Sequence, residues 1–170
     1  PALYDAADLL QGVAITAPGP ADRAGARGAL LAFLLDCPLG PRRLGGHIER
    51  ALANLEYEHA DGRAAAARMV RALAEALPPP LREEWAPGMF LPLAARLVAE
   101  GEPGPRAAAA GALTAVIKGV SPLVVDRLVS FAAAWMGAKA GGAGATHHPS
   151  PPLARAGAAA LAILVRTEGA

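Results

Sequence analysis

The stretch RAAAARMVRALAEAL, Arg63–Leu77, and its echo RAAAAGALTAVIKGV, Arg106–Val120, decide the fold. Each opens on an arginine, runs through four alanines, and then places apolar residues six, seven, ten and fourteen positions further on. These are Met69, Val70, Leu73 and Leu77 in the first stretch and Ala112, Leu113, Val116 and Val120 in the second. Spacings of three and four put such residues on one face of a helix. The same offsets after Arg23 give Ala29, Leu30, Phe33 and Cys37, and after Arg155 they give Leu161, Ala162 and Val165. From Arg23 to Arg63, Arg106 and Arg155 the steps are 40, 43 and 49 residues, near the roughly 40–47 of HEAT and armadillo units.

Working outward, a second set of helical patterns alternates with these. Helices are expected near Ala2 to Thr16, Ala21 to Cys37, Pro41 to Glu56, Asp61 to Leu77, Pro80 to Glu100, Pro105 to Lys118, Pro122 to Met136 and Pro152 to Thr167. Proline-bearing breaks at Pro18-Gly19-Pro20, Pro38 to Pro41, Pro78 to Pro80, Gly101 to Pro105 and Ser121-Pro122 separate them, since proline is tolerated in a first helical turn and disfavoured deeper inside. A pair of helices this short hides too little apolar surface alone, so pairs stack on their neighbours around a shared core. The expected fold is all-α, a HEAT/armadillo-like solenoid of about four hairpins forming a single segment over 1–170. The pairs fall at about 1–38, 39–79, 80–120 and 121–170, with a Gly, His and Pro-rich insertion at about 138–151 that lengthens the last step. Pro1 in place of Met predicts a piece of a longer chain whose first and last pairs expose apolar ends.

Composition agrees. Hydrophobic residues make up 54% of the chain and aromatic ones 4%, with alanine the commonest residue. Alanine is the best helix former but contributes little burial per residue, so many helix contacts are needed. A net charge of +1 and a pI near 8.6 provide no overall field towards nucleic acid or an acidic membrane. Apolar runs are about half the roughly 20 residues of a membrane span, so no membrane role is expected. The single cysteine excludes an internal disulfide framework.

An arginine recurring at helix N-termini opposes the helix dipole by tenths of a kcal/mol. Arg23, Arg63, Arg106 and Arg155 are therefore expected to be structural, reaching carboxylates or carbonyls of the adjacent repeat. The most basic stretch, Pro41 to Arg50, offers Arg42, Arg43 and Arg50 as candidate contacts to RNA phosphates or a partner, against a plain solvated helix face. It has no interleaved aromatics to stack on bases. His147-His148 falls short of a four-ligand zinc set, and Cys37, on the apolar stripe, is expected to pack in the core and not to act as a nucleophile with His47 or His59. Asp61 fits an N-cap, and Glu83-Glu84 opens a helix. Tyr57, Trp85, Phe90, Phe131 and Trp135 are expected to anchor helix to helix. Gly141-Gly142-Ala143-Gly144 lacks the rest of a phosphate loop. No catalytic residue, metal, cofactor or small-molecule substrate is expected, and the chain is not expected to be an enzyme.

Four segments carry a resemblance: Leu34 to Gly40, Asn54 to Arg63, Phe90 to Val98 with Arg106 to Ala109, and the run through Trp135 with Leu164-Val165 and Glu168-Gly169. In this order they resemble the DRIM family, the very large HEAT-repeat component 20 of the small-subunit processome, and a C-terminal-type segment of it. The family tends to have an aromatic at the Cys37 position, an Asn-Leu-x-Tyr-Glu stretch before Gly-Arg, and larger core residues where this chain has alanine. The resemblance implies a nucleolar scaffold in ribosome biogenesis and 18S pre-rRNA processing. Its partners would be other processome proteins and, through phosphate contacts, pre-rRNA or small nucleolar RNA. The fold alone would equally suit a HEAT adaptor in transport or signalling.

Overall fold

The computed structural model describes residues 2–37, 39–137 and 150–168. Eight α-helices are found there: α1 (Ala2–Thr16), α2 (Pro20–Asp36), α3 (Pro41–Ala53), α4 (Ala60–Ala76), α5 (Pro79–Ala99), α6 (Pro103–Lys118), α7 (Pro122–Trp135) and α8 (Pro151–Glu168). Asn54–Glu56 adds one 3-10 turn after α3, and the described residues contain no strand. The fold is the expected all-α helical solenoid. Proline stands in the first turn of α2, α3, α5, α6 and α7, where its missing N–H has no intrahelical acceptor to lose. Asp61 is not an N-cap: α4 starts one residue earlier with His59 at the cap. The insertion and Gly141 to Gly144 lie almost wholly outside the described residues.

Helices pair as hairpins α1–α2, α3–α4, α5–α6 and α7–α8, and the second helices then stack side by side, with α4 against α6 the most extensive contact. Small side chains explain that closeness. On α4, Ala64 to Ala67 are all buried, and on α6 Ala109 and Ala112 are fully buried. Between them the larger residues Met69, Val70, Leu73, Leu113, Val116 and Ile117 close the seam, each large one contributing about 1.5–3 kcal/mol.

The buried stripe keeps the expected register through the first three repeats, with Leu30, Val70 and Leu113 buried at the same offset from their arginines. The first repeat is only partly covered, and Ala29 there is exposed. The fourth repeat departs. On α8 the buried residues are Ala156, Gly157, Ala160, Ile163 and Leu164, whereas Ala162 is exposed and Val165 is 72% exposed. Laying Ala109, Leu113, Val116 and Ile117 over Ala156, Ala160, Ile163 and Leu164 puts Leu153 at the arginine's place. Arg155 is therefore two residues out of register, because burial fixes the helix's rotation and an arginine on an open helix face does not.

α5 runs unbroken through Pro87 and Pro92, although a proline inside a helix costs roughly 3 kcal/mol. Met89, Phe90 and Leu93, all buried on that helix, offset the loss. Of the expected anchors, Phe90 is fully buried and stacks at 5.5 Å on Trp135 of α7. Trp85 packs over Gly45 of α3, and Tyr57 over Gly62. Phe131 is 40% exposed and is not an anchor.

A close approach of helix to backbone joins α7 and α8. A Cβ on Gly157 would lie 2.5 Å from the Ala132 carbonyl oxygen, 3.0 Å from Met136 Cγ and 3.2 Å from Trp135 Cβ. Backbone cannot swing aside as a side-chain tip can, so Gly157→Ala is expected to cost about 1–3 kcal/mol, as overpacking does. A urea titration showing no loss would mean that the two helices are not in this contact.

Candidate functional site

Three of the four recurring arginines make one repeated contact. Arg23 Nη1 donates to the carbonyls of Ala17 at 2.7 Å and Pro18 at 3.4 Å. Arg63 Nη1 donates to Tyr57 at 3.1 Å and Glu58 at 2.8 Å. Arg106 donates to Glu100 from Nε at 3.0 Å and Nη2 at 2.5 Å, and to Gly101 at 3.2 Å. In every case the acceptors lie six and five residues back, in the turn that ends the first helix of the same hairpin. Carbonyls there lack intrahelical partners. Charge-assisted bonds of about 1.5–3 kcal/mol outweigh the tenths lost to the dipole. The carbonyls thus come from the arginine's own hairpin, and only carboxylates come from the next one: Asp61 to Arg23 at 3.4 Å, and Glu100 to Arg63. Arg155 is exposed, makes no hydrogen bond among the described residues, and lines a cleft of about 430 Å³ between α5 and α8.

Glu100, at the C-cap of α5, is where two hairpins are tied. Its carboxylate accepts Arg63 Nε at 2.7 Å and Nη2 at 2.9 Å, a two-pronged pair, and the Glu102 N–H at 3.0 Å. Arg96 Nε stands 3.6 Å away, while Arg96 Nη1 reaches back to the Leu55 carbonyl at 3.2 Å and Glu56 at 3.3 Å. The residue is only 3% exposed. The Arg63 hydrogen bonds hold its carboxyl down at about 2 against the burial that would raise it, helped by the Glu102 amide, and Arg63 is raised in turn by Glu100. Glu100 was not singled out in the sequence. Its signal is that it occupies the same place, six before Arg106, as Ala17 and Tyr57 before Arg23 and Arg63, but with a side chain that can bind a second cation.

The basic stretch faces α1. Arg42, Arg43 and Arg50 are exposed and, with Tyr4, Asp8 and His47, line a cleft of about 200 Å³. Arg43 sits flat on the Tyr4 ring, 3.6 Å from its centroid, and Arg50 donates to Asp8 at 2.5 Å. The aromatic that the stretch itself lacks is therefore supplied by α1. Beneath the cleft, Gln11 Nε2 donates to the His47 carbonyl at 2.8 Å, so its Oε1 accepts from His47 Nδ1 at 2.7 Å. Burial lowers the His47 pKa, Asp8 raises it and Arg50 lowers it.

The remaining candidates dissolve into structure. Cys37 is half-buried at the end of α2 and lies outside the buried cluster. His47 is held by Gln11 and His59 pairs with Glu58 at 3.0 Å, and neither is found hydrogen-bonded to that thiol among the described residues. Glu83 accepts the Ser121 N–H at 3.1 Å, tying α5 to the turn before α7. Among the described residues no three His, Cys, Asp or Glu side chains converge as a metal-ligand group, and no helix is long and apolar enough to cross a membrane. His147-His148 lies outside the described residues.

Stacked hairpins, loop-capping arginines and a carboxylate bridging adjacent repeats define an α-solenoid segment. No family model matches the sequence. Over 103 residues it is 33% identical to U3 small nucleolar RNA-associated protein 20 of Schizosaccharomyces pombe, a similarity covering 61% of this chain and 4% of that relative. The chain thus corresponds to a small part of that protein's length.

Proposed function

We propose that this solenoid is part of a structural, non-enzymatic scaffold in ribosome biogenesis, acting in the nucleolus within the small-subunit processome to support 18S pre-rRNA processing. The similarity over 103 residues to a small nucleolar RNA-associated protein carries this reading. The architecture suits it, since a stack of hairpins offers long side-chain surfaces without requiring a closed pocket. Other processome proteins are its direct partners, and Arg42, Arg43 and Arg50 are candidate phosphate contacts for pre-rRNA or small nucleolar RNA. Arg43 and Arg50 are held in place by Tyr4 and Asp8. Affinity purification of the full-length protein tests the reading. Small-subunit precursor proteins and pre-rRNA are expected in the eluate, and recovery of a transport receptor or a kinase complex in their place would overturn it.

A further inference from the structure

A second cationic surface lies on the exposed side of the second helices, away from the cleft at α1. Arg27 on α2 is close enough to Arg68 on α4 that its pKa is lowered first by burial and then by that neighbour's charge. Three residues along α4, Arg71 reaches across to α6, where a Cβ on Gly111 would lie 3.5 Å from its Nη1. Gly111 in turn lines a cleft of about 330 Å³ with Lys118 of α6 and Arg166 of α8. The five cations therefore form one band across four neighbouring helices, spanning three helix-to-helix steps of about 8–10 Å each.

Little on the band neutralises it. Glu75 pairs with Arg71 at 2.8 Å, and among the described residues Arg27, Arg68, Lys118 and Arg166 have no ion pair. Holding Arg27 beside Arg68 without a counter-charge is unfavourable in the free protein, and an incoming anion removes that penalty. Between Lys118 and Arg166 the cleft is lined by Ala110, Gly111, Thr114 and Ile163, with no aromatic. A peptide strand or helix would need a row of pockets for alternate or periodic side chains, whereas a single cleft is found along the band among the described residues. A sugar-phosphate backbone needs only regularly placed charge.

We infer that the band formed by Arg27, Arg68, Arg71, Lys118 and Arg166 is an RNA-backbone surface, reading charge and not base sequence. Choosing RNA among polyanions rests on the proposed role in ribosome biogenesis. The contact is made by Arg and Lys heads on phosphate oxygens. Absence of stacking partners makes it indifferent to sequence.

The test uses the full-length protein and a labelled oligouridylate of about 20 nucleotides, with ultraviolet crosslinks mapped to peptides and affinity measured across a salt series. Crosslinks are expected in α4 and α6. The triple reversal Arg27→Glu, Arg68→Glu, Lys118→Glu should abolish those crosslinks and, at three lost contacts of about 0.7 each, flatten the log–log salt slope by about 2. The charge-keeping pair Arg27→Lys, Arg68→Lys should bind within about threefold of the parent, which separates charge loss from misfolding. Retention of the α4 and α6 crosslinks and an unchanged slope in the triple reversal would overturn the inference. So would loss of binding in the lysine pair, or an oligoglutamate that binds the band more tightly than RNA does. Failure here with precursor particles still copurifying would remove the RNA band and leave the scaffold reading standing. The reverse pattern would remove the scaffold reading alone.

Discussion

Glu100→Ala should destabilise this solenoid by about 3–5 kcal/mol, the cost of removing one partner from a buried ion pair. The carboxylate is 3% exposed and meets Arg63 through two bonds of 2.7 and 2.9 Å. Its loss leaves the half-buried Arg63 and Arg96 guanidinium groups facing an empty site between the second and third hairpins. Glu100→Gln, which keeps the shape and one acceptor, should cost roughly half as much. The pH dependence has a definite sign. In the fold the group titrates near 2, below its ordinary 4.5. The stabilisation is therefore complete above about pH 5 and disappears as the pH falls from 4.5 towards 2. Urea midpoints at neutral and acid pH measure this, and parent and Glu100→Gln should converge on acidification. Parallel curves, or an alanine variant within about 1 kcal/mol of the parent, would sink the bridge as a stabilising element.

Phe90→Ala should cost about 3–5 kcal/mol as well, by a different route. Phe90 is fully buried on α5 and lies 5.5 Å from the Trp135 ring, joining the third hairpin to the fourth. Truncation removes transfer energy and leaves a cavity beside two interior prolines of α5, which limit how far that helix can relax into the gap. Phe90→Leu, closer in volume, should lose under about 1.5 kcal/mol. Denaturant titration gives the size of the effect, and tryptophan emission reports its place, since Trp85 and Trp135 are the only tryptophans. An alanine variant as stable as the parent, with unchanged emission, would mean that the α5–α7 contact is not made.

Residues on repeating faces were legible because helix periodicity and proline placement act locally. Leu30, Val70 and Leu113 could be read from spacing alone, and so could most helix limits to within one or two residues. Arg155 could not, since an arginine at a plausible spacing says nothing about which face its helix buries. Glu100 was hidden for a related reason. A glutamate at a helix end is ordinary, and only the stacking of one hairpin on the next brings Arg63 and Arg96 against it. Tyr4 under Arg43, and Arg27 beside Arg68, are likewise pairs formed by residues about forty positions apart.

By itself the sequence determined that the chain is helical, that the helices alternate in hairpins, and that an arginine recurs near the start of the second helices, though it placed Arg155 in that series as well. Those follow from forces acting within a turn or two of helix. The tertiary structure alone decided which carboxylate that arginine meets, how α8 is rotated, and which cations line up across four helices. Each of these depends on the distance between separate helices, which close packing of small side chains sets and no local pattern records.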